Sequence, residues 1–307
     1  MNTMARFEGK RQSGNDRRQE RAEQAAQHIA DVDARLGKEV ERSLAELKVY
    51  DTMPHPEIEG CIPTVAVIDE DSVAAVIEHG RGVANYCDLA LLDFASFTSP
   101  GGGYDRGAWA QEEALCAEST LFNVLREQKA WYGENRRRNV NCEVYRNRGL
   151  VVPKVRFERG KYHGYADVIV VAAPNARRAR ENYRLDDETL LKFLRSRIRF
   201  VLGIADELGH EKLVLGAYGC GVFGWDAAVV ARAFLDELAT GKHAAKQVFF
   251  AVPSDRFNEN LPIFEHVFAN FPQVNDEPYV KLADRPKVEE KVVEEDDEDE
   301  DDWRQYL

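Results

Sequence analysis

Two spacings of apolar residues alternate along this chain. Through RRQERAEQAAQHIADVDARL the apolar positions Ala22, Ala25, Ala26, Ile29, Val32 and Leu36 mark one side of a helix, with Asp16 placed to cap it. Gly37 interrupts that run before KEVERSLAELKVY, and Pro54 and Pro56 end the region. Residues 1–14 are polar, and disorder is expected there. Beyond Pro63 the pattern switches between short β-branched runs and helical stretches. Strands are predicted at Pro63 to Ile68, Leu89 to Phe94, Val151 to Phe157, Ala166 to Val171, Lys212 to Leu215 and Gln247 to Val252. Helices are predicted at Glu70 to Glu78 (opened by Asp69 or Asp71), Ala110 to Gln128, Asp186 or Asp187 to Glu207, Asp226 to Thr240 and Asn258 to Asn270. The segment WYGENRRRNVNCEVYRNRG reads as basic and irregular.

Strands that alternate with helices argue for a three-layer α/β domain with a largely parallel sheet. The expected organisation is an N-terminal polar and helical extension over residues 1–60, a catalytic domain over 61–272 and a disordered acidic tail over 273–307. The extension is read as packing on the domain, with a partner-binding helix as the alternative, and there are no internal repeats.

Charge changes this picture only at one end. Glu289 to Asp302 holds 11 acids and one base, Lys291, so the net −13 of the chain leaves only −3 for everything else. The global acidity therefore describes a tail and not a binding surface. Five cysteines without CxxC pairing (Cys61, Cys87, Cys116, Cys142, Cys220) read as reduced thiols rather than a disulfide framework. The start MNTMARFEGKRQSG has no apolar core, and no run approaches the roughly 18 apolar residues of a membrane span. A soluble monomer of the cytoplasm or nucleus is expected, without DNA or membrane as partner.

Chemistry concentrates in LALLDFASFTSPGGGYDRGAWAQEEALCAESTLF, Leu89 to Phe122. Asp93 ends an apolar strand. Gly101, Gly102 and Gly103 follow, each costing roughly 0.5–1 kcal/mol of chain entropy relative to alanine, which suggests a ligand lying against bare backbone. Gln111, Glu112 and Glu113 then open a helical run. Adjacent glutamates on a helix point about 100° apart. They do not face each other across a bond at roughly 5–10 Å as paired glycosidase carboxylates do. One glutamate holding sugar hydroxyls while the other supplies a proton suits that geometry better.

A second glycine cluster, Gly219-Cys220-Gly221-Val222-Phe223-Gly224, lies between a predicted strand and the helix capped by Asp226. Successive N–H groups in such a turn, with a helix N-terminus behind them, can cradle a diphosphate. The acid that a dinucleotide fold needs about 20 residues further on is missing, because that distance falls in the GKHAAK turn. The loop is therefore read as a phosphate loop of another type. His163, His210 and His266 lack ligand spacing with any cysteine, so neither metal nor cofactor is expected; Cys116 and Cys220 read as packing residues. The arginines from Arg136 to Arg159, with Arg177, Arg178 and Arg180, are read as a solvated surface, with a basic rim for a polyanion as the alternative.

Gly101-Gly102-Gly103, seven intervening residues and Gln111-Glu112-Glu113 resemble the signature of the poly(ADP-ribose) glycohydrolases, in their microbial form. GAYGCGVFG at Gly216 to Gly224 and VVAAPNAR at Val170 to Arg177 are similar to that family's later segments, and the resemblance spans roughly Val65 to Phe268. It implies a macrodomain fold, a mixed sheet between helices with ADP-ribose at the strand ends, and hydrolysis of ribose–ribose bonds in poly(ADP-ribose) or on ADP-ribosylated proteins. It further implies Glu113 as catalytic acid, Glu112 as holder of ribose hydroxyls, and Gln111 as brace. Gly101 to Gly103 would lie beneath the distal ribose, Gly219 to Gly224 around the diphosphate, Phe223 on a ribose or adenine face, and Asp93 in support. Where many macrodomains carry an asparagine before the glycines, this chain has Phe97-Thr98-Ser99. The rival readings are a non-catalytic ADP-ribose reader and a hydrolase of another ADP-ribosyl linkage; an intact Gln111-Glu112-Glu113 favours catalysis.

Overall fold

The computed structural model describes residues 4–284. Seven strands form one mixed sheet: β1 Lys48–Tyr50, β2 Thr64–Ile68, β3 Leu89–Phe94, β4 Gly149–Arg159, β5 Tyr162–Val171, β6 Lys212–Leu215 and β7 Gln247–Ala251, in spatial order β1-β4-β5-β3-β6-β7-β2. The run β5, β3, β6, β7, β2 is parallel, while β4 is antiparallel to both β5 and β1. A three-layer fold with a mixed sheet is therefore present, as the resemblance implies.

Both faces of the sheet are covered, and the two-residue period of a strand sorts its side chains between them. On β3, Ala90 and Leu92 join the core beneath α7 Ala176–Tyr183, α8 Asp187–Leu208, α9 Ala227–Leu238 and α10 Asn260–Phe268. Leu89 and Leu91 join the opposite core, under α1 Met4–Arg35, α2 Gly37–Glu46, α3 Ser72–His79, α4 Gln111–Ala117, α5 Leu121–Leu125 and α6 Lys129–Glu134. Asp93 shares the parity of Leu89 and Leu91, so the sheet aims its carboxyl into the layer that carries α4.

Several helix starts follow side-chain capping. Asp71 accepts from the N–H groups of Val73 and Ala74, Asp186 from Thr189, and Asp226 from Ala228 and Val229. Other expectations change. The first helix begins at Met4, so Asp16 lies inside it rather than at its cap, and residues 4–13 are helical rather than disordered. Its buried Ala25 and Val32 belong to the same core as β3, and Asn123 donates to Ile29 O at 3.0 Å and Asp33 Oδ1 at 2.8 Å.

The single helix expected from Ala110 to Gln128 is broken after Ala117. Thr120 N–H donates to Arg156 O, and Glu158 N–H to Glu118 O, so the edge of β4 takes this backbone out of helical pairing. The "irregular" stretch contains the end of α6 and a π-helical turn, Asn135–Asn139. Strand β1 and helix α7 were not anticipated.

The chain divides into a large unit ending at Glu277 and a second one from Pro278. Of the second unit, only residues 278–284 are described, with one 3-10 turn, Leu282–Asp284. The acidic run Glu289 to Asp302 lies outside the described residues. Among the described residues, no helix is long and apolar enough to cross a membrane.

Candidate active site

Gln111 is the hinge of the site. Its side-chain oxygen accepts from Phe94 N–H at 2.9 Å, and its amide nitrogen donates to Leu92 O at 3.1 Å and Ser72 Oγ at 3.2 Å. The first residue of α4 is thereby bonded to the end of β3 and the start of α3. With Gln111 fixed, Glu112 and Glu113 turn inward beneath the glycine loop, at 3% and 7% exposure. Glu112 Oε2 accepts from Ser96 N–H at 2.7 Å, and Glu113 Oε1 from Gly103 N–H at 2.9 Å.

The protein's own packing requires the three glycines, independently of any ligand against their backbone. Gly101 and Gly102 have φ of 58° and 63°, in the left-handed region that side chains avoid. A Cβ on Gly101 would come within 2.5 Å of the Phe122 ring. One on Gly102 would reach 2.4 Å from Glu113 Oε1 and 2.9 Å from Glu112 Oε2, and one on Gly103 2.8 Å from the Ala108 methyl. The missing Cβ at Gly102 is what lets both carboxylates pass under the loop. Arg106, unflagged by the sequence, clasps the loop by donating to Gly102 O at 2.8 Å. Tyr104 just beyond is held by His28 of α1 at 3.1 Å.

Asp93 lies fully buried in the same layer, and among the described residues neither of its carboxyl oxygens has a hydrogen-bond partner; Glu112 Oε1 and the Tyr132 hydroxyl share that condition. A strand-end acid is commonly satisfied by backbone N–H groups, and Asp93 is not. Burial, reinforced by the Glu113 charge, pushes the Asp93 carboxyl well above the usual carboxylate range. Burial, with Asp93 next, pushes Glu112 up as well, against the opposing pull of the Ser96 N–H bond. Among the described residues, no lysine or arginine forms an ion pair with any of these three acids. A cluster of this kind holds protons that isolated carboxylates would release.

Beside the cluster lies a cleft of about 540 Å³ at the C-terminal ends of β3, β6 and β7. Phe94, Trp109 and Gln111 form one wall, and Gly219, Gly221, Val222 and Phe223 the other. Asn258 and Asn260, neither anticipated, close it near the start of α10. Glu112, Glu113, Asp93, the three glycines, Cys220 and Gly224 are not on this lining. The acids thus form a buried cluster behind the cleft, with Gln111 and Phe94 at the junction.

In the second loop, Gly219 and Gly224 adopt φ of 78° and 73°, whereas Gly221 has an ordinary φ and open space, with nothing within 4 Å of where a Cβ would stand. Cys220, Gly224 and Trp225 use their N–H groups in the turn, on Ala217, Gly221 and Gly219 carbonyls. Phe223 touches Tyr145 edge-on at 6.3 Å. Tyr145 stacks on Phe97 at 4.5 Å, so the variant Phe97-Thr98-Ser99 segment packs against the second loop's aromatic neighbour. Asn135 donates to Phe97 O at 3.0 Å and Arg136 to Thr98 O at 2.5 Å. Of the arginines read as a solvated surface or, alternatively, a basic rim, Arg148, Arg156, Arg159, Arg178 and Arg180 are paired with acids.

Fold and site together define a macrodomain-like α/β protein whose second glycine loop lines a cleft beside a pair of buried, loop-bound glutamates. Residues 20–160 match the family model described as "Microbial-type PARG, catalytic domain". The poly(ADP-ribose) glycohydrolase of Thermomonospora curvata, bound to the inhibitor ADP-HPD, is 27% identical, with a TM-score of 0.68 over 82% of this chain and all (100%) of that one. That of Deinococcus radiodurans, in complex with ADP-ribose, is 30% identical, with a TM-score of 0.63 over 74% of this chain and 95% of that one. No curated protein matches the sequence. The chain belongs to the microbial-type poly(ADP-ribose) glycohydrolases. The family match begins within α1, inside the stretch that reads from sequence as an extension.

Proposed function

We propose that this protein hydrolyses the ribose–ribose glycosidic bonds of poly(ADP-ribose) and releases ADP-ribose, with Glu113 as general acid and Glu112 as holder of the ribose hydroxyls. The observation that carries this reading is the pair of glutamates bonded to Ser96 N–H and Gly103 N–H beneath the Gly101–Gly103 loop, next to the cleft. Bond cleavage needs a proton for the departing oxygen and a site that tolerates a cationic, oxocarbenium-like ribose. A water-poor cluster of three acids without a basic partner supplies both, since it retains a proton and its remaining negative charge favours a cation. The diphosphate would lie along Gly219 to Gly224, where Gly221 leaves backbone open to the cleft. A reader would need a loop for the diphosphate too, and the bonded glutamates are what it would not need.

The test is incubation of the protein with automodified poly(ADP-ribose), wild type against Glu113→Gln. Loss of activity by about 10²–10⁴-fold, the range for a general acid, is expected, with ADP-ribose binding retained. Polymer that survives the wild-type protein while ADP-ribose still binds would instead indicate a reader. Full activity in Glu113→Gln would move the acid to another carboxyl.

A further inference from the structure

We propose that Cys87, Asp167 and His210 form a binding site for a divalent transition metal of the zinc class, at the sheet edge opposite the active site. Cys87 stands two residues before β3 and His210 two before β6, and Asp167 pairs with Ala90 in the register of β5 with β3. Parallel neighbours thus gather, at the starts of β3 and β6 and partway along β5, three donors that lie 80 and 43 residues apart in the chain. That separation is why no ligand spacing shows in the sequence.

The geometry suits an ion. The donor atoms all lie within 4.8 Å of one another. Asp167 Oδ2 is 2.9 Å from His210 Nε2, and Oδ1 is 3.6 Å from Cys87 Sγ. A tetrahedral ion with bonds of about 2.0–2.3 Å holds such donors about 3.3–3.6 Å apart, so small side-chain movements would admit it. One thiolate and one carboxylate neutralise a divalent charge, and a thiolate–imidazole–carboxylate set favours zinc over magnesium or calcium.

Asp167 is held for this role. The bulge of β4 between Val152 and Val155 turns Lys154 to a φ of 52° and directs its N–H onto Asp167 Oδ1 at 2.8 Å. An outer bond of that kind orients a ligating carboxylate. Asp167 is 8% exposed, and among the described residues no lysine or arginine pairs with it; the nearby Lys212 is bound to Asp88 and to His79 O instead. A metal takes cysteine as the thiolate, so ion binding forms the metal–sulfur bond and releases the thiol proton to solvent, with no change in oxidation state. The bound ion would clamp the starts of β3 and β6 to β5.

The full-length protein, stripped with a chelator and desalted, should be titrated with Co²⁺. One equivalent is expected to produce a sulfur-to-cobalt charge-transfer band with tetrahedral d–d bands, both erased by Zn²⁺. Cys87→Ser should abolish the charge-transfer band. His210→Ala should weaken Zn²⁺ binding by at least about 100-fold, the upper end for loss of an outer-shell partner. Polymer hydrolysis by each variant reports that it is folded. A wild type without the band overturns the proposal, as does a band that persists in Cys87→Ser, which would place the ion on another cysteine. Should both variants fail to fold, a rise in wild-type Tm with Zn²⁺ supports the site and its absence overturns it.

Discussion

Gly102→Ala is the sharpest test of how the loop and the acids depend on each other. The new methyl carbon would stand 2.4 Å from Glu113 Oε1 and 2.9 Å from Glu112 Oε2, and the backbone would keep a φ of 63°. Placing alanine in the left-handed region costs about 1–2 kcal/mol. Restricting the unfolded chain returns about 0.4–1 kcal/mol. Relief of the overlap requires Glu113 to leave its bond with Gly103 N–H, and leaving a buried donor unsatisfied costs about 1–3 kcal/mol. The net loss is about 2–4 kcal/mol. For a protein of this size each kcal/mol shifts Tm by about 2–4 °C, so scanning calorimetry should show a fall of about 4–16 °C. Activity should drop further than stability, because displacing a reacting group by about 1 Å costs about 10²-fold. The assay is initial-rate hydrolysis of labelled polymer, at a temperature where the variant is folded. A folded Gly102→Ala enzyme within twofold of wild type would refute the argument that this missing side chain positions the glutamates.

Other outcomes follow from the same geometry. Gly221→Ala should change stability by less than about 0.5 kcal/mol, since the site is open and φ ordinary, yet weaken ADP-ribose binding measured by calorimetry; unchanged affinity would remove the second loop from the ligand. Asp93 has a raised folded-state pKa, so the stability it contributes is full below the unfolded value near 3.8 and is lost as pH rises through the folded one. Denaturation midpoints taken from acid to alkaline pH should therefore decline less in Asp93→Asn than in wild type, and parallel profiles would show that Asp93 is not held protonated. Glu112 titrates in the same sense and leaves a residual decline. Arg197, 1% exposed, donates to the carbonyls of Ala172, Val144, Tyr145 and Arg146 and to Asn147 Oδ1. Arg197→Met should cost about 3–5 kcal/mol by orphaning those acceptors, read as a lower urea midpoint.

Sequence legibility followed the range of the forces involved. Asp71, Asp186 and Asp226 act on N–H groups within three residues, so their caps could be read locally. The apolar runs of β3 and β6 announced buried strands for the same reason. The break at Ser119-Thr120 could not be read, because the backbone that captures Thr120 belongs to Arg156, in another element. Strand β1, three residues long with only Tyr50 buried, carries too little apolar pattern to be recognised. The site residues were legible as motifs, but the reason for the glycines was not. Proximity of Gly102 to two carboxylates arises only when α4 folds back on the loop. Cys87, Asp167 and His210 meet through sheet register alone, which no spacing rule reports.

The seating of α1 has a practical corollary for anyone trimming this protein. Arg18 donates to Arg106 O at 2.9 Å, and the Arg18 carbonyl lies so near Gly107 that a Cβ there would approach it to 1.8 Å. Gly107 closes the turn that begins at Tyr104, directly after the glycine triplet. The first helix is thus a splint on the turn after the glycine loop, and a fragment cut at residue 60 would keep every motif while leaving that turn unsupported. The shortest working fragment should begin upstream of Arg18.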